Sequence, residues 1–395
     1  MNKEKQHIPS GYKPSPLGPI PEDWEVKRLG ELCFDVFSGN NKTRTDMGAY
    51  PVYGSTGIIG RTDKYKYDGE RILIARVGAH AGQVSVASGK YDVSDNTIIV
   101  ENKDCYSLYF AYQCLIASNL NKMVFGSGQP LITAGMLKRM FVIYPPYKEQ
   151  VIINDRLRLW DTAIEKQTAL IENLTLRKRG LMQQLLTGKK RLEGFEREWK
   201  RIKLGDIAER ITRKNEEDNQ NVVTISAQRG FVVQTDFFNK SVASETLDNY
   251  FLVHRDEFCY NKSYSNGYPM GAIKRLKTFD KAVVTTLYIC FALKGETATN
   301  IDFFEQYCES GIFNKELVKV ANEGGRAHGL LNVTPSDFFN MHMSVPSINE
   351  QNAIASVLVN ADKEIEIQKQ KLSDLQEQKR GLMQVLLTGK KRIKK

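Results

Sequence analysis

Apolar residues from position 157 onward recur at alternating steps of three and four: Leu157, Trp160, Ile164, Ile171, Leu174, Leu181 and Leu185, with Gln167 and Lys178 completing the rhythm. Such a stripe is the seam of a coiled coil, one helix face turned toward a partner helix. The rhythm returns at Leu358, Ala361, Ile365, Gln368, Leu372, Leu375, Lys379, Leu382 and Leu386, polar intruders included. Ser347 and Glu350 have the spacing of a capping box. Gly188 and Gly389 stand where each helix should stop, each followed by Lys-Lys-Arg to complement the negative helix end. The pattern therefore predicts two helices of about 40 residues, about 60 Å long at 1.5 Å per residue. Their pairing positions are Leu157, Ile164, Ile171, Leu174 and Leu181 in one, and Leu358, Ile365, Leu372, Leu375 and Leu382 in the other. An exposed seam would aggregate, so the two most economically bury each other. Gly180 and Gly381 each cost about 1 kcal/mol relative to Ala in a helix, which predicts a close backbone approach there or, alternatively, a break near residue 180. Gln167, Gln368, Lys178 and Lys379 should fix register, or be solvated if the seam frays.

Elsewhere the pattern changes to short β-type runs punctuated by glycine: 71–76, 82–86 and 97–100, then 257–262, 271–275 and 283–293. The chain is a duplication. Residues 178–191 reappear as 379–392 with one change in fourteen positions, and the 201-residue offset extends back through Ile153/Ile354, Glu149/Glu350, Gln150/Gln351, Pro145/Pro346, Met140/Met341 and Thr133/Thr334. A second shared block, Trp24-Leu29-Gly30 against Trp199-Leu204-Gly205, has an offset of 175, so the second variable region is longer by 26 residues. Ile72 to Val77 aligns with Cys259 to Tyr264, and Val93 to Thr97 with Val284 to Tyr288, which makes Arg76 to Gln83 and Ser263 to Met270 equivalent loops.

At 395 residues and 41% apolar content there is room for two or three domains with cores. No run of eighteen apolar residues offers a spanning helix, and the polar start lacks a signal-peptide core, so no membrane role is expected and the cytoplasm is the default. Six cysteines without C-x-x-C spacing read as reduced and mostly buried. A net charge of +10 favours a polyanionic partner. Glycine-supported loops carry the residue types that reach phosphates and base edges: Lys42, Arg44, Arg61, Lys64, Arg76, His80, Gln83 and Gln129 in the first variable region, Lys262, Tyr264, Asn266 and Arg326 in the second.

Catalytic signatures do not accompany them. The glycine spacings fit neither a phosphate loop nor a dinucleotide fingerprint, and five histidines lack metal-ligand spacing. Tyr144-Pro145-Pro146-Tyr147 approaches the Asn/Asp/Ser-Pro-Pro-Tyr/Phe motif of adenine methyltransferases, but its first residue cannot hold a target amino group. The repeat has Val345-Pro346-Ser347-Ile348 there, so these prolines should mark strand exit and helix entry.

Residues 21–32 (Pro-Glu-Asp-Trp-Glu-Val-Lys-Arg-Leu-Gly-Glu-Leu), the Pro-x-x-x-Glu-Gln helix entries and the duplicated Leu-Met-Gln-x-Leu-Leu-Thr-Gly-Lys-Lys-Arg together resemble the specificity subunit of type I restriction-modification systems. The resemblance spans the whole chain. It implies an α+β fold: two β-rich target-recognition domains separated by two long antiparallel coiled-coil helices, with internal pseudo-two-fold duplication. The expected parts are an N-terminal arm and first recognition domain at 1–146, a spacer helix at 147–190, a second recognition domain at 191–346 and a second spacer helix at 347–395. It further implies that the chain reads a bipartite site on double-stranded DNA and docks two modification (methyltransferase) subunits and restriction (translocase/nuclease) subunits. The chain itself would be non-catalytic and bind no cofactor or metal, with S-adenosylmethionine, ATP and magnesium belonging to the partners. Two competing classes are a self-contained DNA methyltransferase or nuclease with two recognition domains, and a coiled-coil scaffold that binds no nucleic acid.

Overall fold

Both seams fold as helices, Tyr147–Leu185 and Ile348–Leu386, each 39 residues long, in a computed structural model that describes residues 8–123, 130–234, 247–295, 299–321 and 331–393. The helices run through residues 180 and 381 without a break. A Cβ placed on Gly180 or Gly381 would meet no atom within 4 Å, so the expected close backbone approach is absent at both. The chain divides inside these helices and not at their ends: unit one comprises residues 1–168 and 370–395, unit two residues 169–369.

Within each unit the seam is held by ion pairs that recur at the 201-residue offset. Lys379 Nζ donates to Asp161 Oδ1 at 2.5 Å in unit one, and Lys178 Nζ to Asp362 Oδ1 at 2.5 Å in unit two. Leu157, Gln167, Leu358 and Ile365 are buried, and the remaining seam positions from Trp160 to Leu181 and from Leu372 to Leu382 are half-buried, as a stripe on a partly exposed helix should be. The lysines bury their stems and pair their heads, so this part of the seam does not fray.

The Pro-x-x-x-Glu-Gln entry has a mechanical explanation. Gln150 donates to Pro145 O at 2.9 Å and accepts from Ser107 N at 2.9 Å, while Gln351 donates to Pro346 O at 3.1 Å and accepts from Asn300 N at 2.9 Å. Each fully buried amide thus closes the helix start and ties it to the first turn of a helix in its own β-rich region, Leu108–Ala117 or Ile301–Glu309. The neighbouring glutamates do not complete a capping box. Glu350 accepts from Arg191 Nε at 2.6 Å and Nη2 at 2.7 Å, and Glu149 accepts from Arg392 Nε at 2.6 Å. The arginine of Lys-Lys-Arg is therefore committed to the opposite helix entry and not to its own helix end. Gly188 and Gly389, both at φ +69°, supply the left-handed turn that brings it there.

Unit two makes this corner from one continuous segment, whereas unit one assembles it from both ends of the chain. Tyr12 Oη donates to Gly389 O at 2.7 Å, and Arg392 also binds Asp23 at 2.8 Å and 2.9 Å. The guanidinium holds the Asp23 carboxyl below its ordinary value. Trp24 Nε1 donates to Glu149 Oε2 at 2.8 Å, completing the corner.

Each β-rich region contains a four-stranded antiparallel sheet of the same order. In unit one it runs Cys33–Ser38, Thr97–Asn102, Arg71–Ala75, Val84–Ala87; in unit two Ala208–Ile211, Ile289–Leu293, Phe258–Asn261, Ala272–Arg275. The run 283–293, expected as one strand, is two: Lys281–Val284 and Ile289–Leu293, separated by a turn at 285–288. Alternation along the central strands decides which face is which. Ile72 and Ile74 pack with the end of the second long helix through Met383 and Leu386, and Phe258 and Tyr260 do the same with Met182 and Leu185. Leu73 and Cys259 face the other way, into separate small cores. Ile72 therefore corresponds to Phe258 and not to Cys259. The alignment made from sequence was one residue out, which in a strand exchanges the two faces. The strand–helix entries also match: Phe141–Tyr144 pairs with Glu25–Arg28, and His342–Val345 with Lys200–Lys203. The prolines after Tyr144 and Val345 mark strand exit and helix entry, as expected.

Candidate nucleic-acid interface

On the face of the first sheet away from the helices, a second layer is built by Gly57–Thr62, Tyr50–Gly54, Lys90–Val93 and Tyr67–Asp68 in that order. Its core is aromatic, with Tyr67 stacked on Tyr91 at 5.8 Å between ring centres. This layer supports an open depression of about 850 Å³ lined by residues 41–45, 61–64, Asp92, Ser94 and Asp95. Four of the residues anticipated from sequence meet here: Lys42, Arg44, Arg61 and Lys64. They do not have equal roles. The Arg61 guanidinium donates to Gly48 O and, at 2.7 Å, to Ala49 O, so it shapes the loop. Lys42, Arg44 and Lys64 are exposed, and among the described residues their charged ends have no partner. Asn41 is held by Asp92 Oδ2 at 2.7 Å, and the 41–45 loop by reciprocal 2.8 Å backbone bonds between Thr45 and Arg61. Exposed cations on a hydrogen-bonded rim, beside the acceptors Asp63 and Asp95, can meet both phosphates and the amino edges of bases.

The loop after Ala75 borders the same depression. Arg76 Nη1 donates to Asp95 O at 3.3 Å, and the Arg76 backbone bonds to Asn96 and Ile132. His80 Nδ1 lies 3.1 Å from Gln83 Oε1, so these two exposed side chains hold one another. Gln129 and Arg326 lie outside the described residues.

The equivalent loop of unit two is built differently. Tyr260 Oη donates to Met270 O at 2.9 Å, and Gln228 Nε2 to Asn266 O at 3.1 Å. Lys274 Nζ donates to Glu309 Oε1 at 2.5 Å and to Tyr268 Oη at 3.3 Å, and Tyr268 Oη donates to Glu309 Oε2 at 3.0 Å. Burial among these groups pushes the Tyr268 hydroxyl up, which keeps it a neutral donor. Gly271, at φ +74°, is obligatory, because a Cβ would stand 2.3 Å from Asn261 O. The pinned loop presents Tyr264, 69% exposed, with the exposed Asn266 two residues on and the half-buried Lys262 at its base. The sequence singled out these three positions but not the Lys274–Glu309–Tyr268 cluster beneath them, whose carboxylate lies 35 residues from Lys274 in the chain. It also missed Asp161 and Asp362 as partners of the seam lysines. Their equal offset was the available signal.

Comparison with known proteins places this architecture. The type I restriction modification DNA specificity domain matches residues 21–175. Over 419 residues the chain is 26% identical to the type I restriction enzyme MjaVIII specificity subunit of Methanocaldococcus jannaschii, covering 95% of this chain and 94% of that protein. A shorter match, 31% over 142 residues, links 34% of the chain to 35% of the type I restriction enzyme EcoprrI specificity subunit of Escherichia coli. In fold it is similar to the S subunit of a type I restriction-modification system from M. genitalium, with a TM-score of 0.56 and 19% identity over 92% of this chain and 96% of that one. The domain match over residues 21–175, the relative aligned along nearly its whole length and the likeness of fold agree, and all three are to type I restriction-modification specificity subunits.

Proposed function

We propose that this chain is the sequence-reading, non-catalytic subunit of a type I restriction-modification complex. Each β-rich region reads one half of a bipartite site on double-stranded DNA. The long helices pair antiparallel as a coiled coil that spaces the readers, and they dock two modification subunits, to which restriction subunits add translocation and cleavage. S-adenosylmethionine, ATP and magnesium belong to those partners, and the complex works in the cytoplasm. The observation that carries this reading is the combination of one duplicated frame, repeated down to individual ion pairs, with two recognition surfaces of unlike chemistry. A frame copied so closely serves a common partner, while surfaces so different serve different half-sites.

The test is methyl transfer from labelled S-adenosylmethionine to DNA. The purified chain alone should transfer none, and the chain mixed with its modification subunit should methylate adenine at a split motif. Transfer by the highly purified chain alone would favour a self-contained enzyme. Failure to bind DNA in the presence of the modification subunit would favour a scaffold.

A further inference from the structure

Besides the isomeric exchange of Ile171 for Leu372, the duplicated seam departs from its own pattern at one position. Trp160 in unit one corresponds to Ala361 in unit two at the 201-residue offset, while the residues of the other helix that line this level are unchanged: Leu375, Lys379 and Leu382 in unit one, Leu174, Lys178 and Leu181 in unit two. Unit two contains a cavity of about 260 Å³ at this level, open to solvent on one side, with Leu174, Leu181, Val357 and Ala361 as its apolar walls and Arg177, Lys178, Asn360 and Glu364 completing the lining. Exchange of an indole for a methyl group accounts for the space. Its position is fixed by the Lys178–Asp362 pair, with Gln306 Nε2 donating to Asp362 Oδ2 at 2.7 Å.

We infer that this cavity is a binding site for a neutral planar aromatic molecule of indole size. Cavities of about 150 Å³ with aliphatic walls already take up benzene, so 260 Å³ accommodates a bicyclic ring. Three aliphatic side chains and the Ala361 methyl supply the apolar walls, and the exposed Arg177 at the rim offers a cation to the electron-rich face of such a ring. The charged side chains of the lining are balanced in sign, with Lys178 paired to Asp362 and Arg177 set against Glu364, so the site favours a ligand without net charge. The site does not depend on the DNA-reading role, and its position on the long helices sets it apart from both recognition surfaces.

Free indole is the probe, and the number of molecules bound per full-length chain is measured by equilibrium dialysis. Ala361→Trp, which restores the residue of the other copy, should bind one fewer than the native chain, and Trp160→Ala, which creates a second such cavity, one more. Ala361→Leu fills the space with a smaller side chain and should also lose one molecule, so the conclusion survives if Ala361→Trp does not fold. Indole should raise the melting temperature of the native chain more than that of either filled variant. Equal binding by the native and filled chains would overturn the assignment.

Discussion

The two faces of each reader's sheet differ in what they share. On the helix side, Ile72, Ile74, Ile98 and Val100 of unit one become Phe258, Tyr260, Ile289 and Phe291 of unit two: three of the four side chains change, at the same register and against equivalent helix ends. On the opposite side little is common. Unit one carries a mixed four-stranded layer and a depression with three cations that have no partner among the described residues, while unit two has separate strand pairs and a loop pinned by a buried lysine. A sheet can vary one face while the other stays docked, because alternate residues belong to different cores. This is how one frame carries two unlike surfaces.

The largest expected effect tests how equal the two copies of the frame are. Arg191→Ala leaves the Glu350 carboxylate, 1% exposed, without its partner and should cost about 3 kcal/mol, as for breaking a buried pair. Arg392→Ala leaves Glu149 and Asp23, which are 14% and 52% exposed, so water compensates and the loss should be less than half as large. Urea unfolding of both variants checks the order, and equal losses would mean that burial does not distinguish the corners. The contribution of Asp23 has a sign that can be read by titration. Its carboxyl is lowered below 3.8, so that part of the stability is complete at higher pH and disappears as pH falls through the lowered value.

A second measurement addresses the recognition faces. If Lys42 and Lys64 contact phosphates, replacing each by alanine should reduce the slope of log affinity against log salt by about one unit per residue. Binding to the half-site read by unit two should be unaffected. An unchanged slope in both variants would remove the depression from the interface.

Smaller effects are expected on the helices. Because open space surrounds both positions, Gly180→Ala and Gly381→Ala should each stabilise the chain by about 1 kcal/mol. If either substitution also weakened assembly with the modification subunit, it would locate a close approach of that partner. Smallest of all is a difference in thiol chemistry within unit one. Burial pushes Cys33 and Cys114 up to about 12, whereas Cys105 is exposed, so Cys105 should react with a thiol reagent at neutral pH well before the other two. Comparable rates for the three would show that this core opens readily.

The frame was legible in the sequence because its signals are periodic and duplicated: the seam, the glycine stops and the proline entries all fall where they were read. What escaped was long-range or aperiodic. Leu108–Ala117, Leu-Tyr-Phe-Ala-Tyr-Gln-Cys-Leu-Ile-Ala, is apolar on nearly every side, so no stripe announces a helix. Gly180 and Gly381 invited a packing explanation that the open surroundings do not support. In the recognition surfaces the individual cations were legible, but their states were not. That Arg61 is tied to a carbonyl pair while Lys42 has no partner among the described residues depends on a loop path that no local pattern encodes.

The central claim is that the readers are independent modules on one frame, and the most direct measurement is sequencing of methylated bases in DNA modified by a chain whose residues 31–144 have been exchanged for those of a relative. The exchange spares Asp23, Trp24, Glu149 and Gln150, so the corner contacts of unit one keep their side chains. The account predicts a motif in which one half-site is new and the other is unaltered. Simultaneous change of both halves in an active enzyme would contradict it.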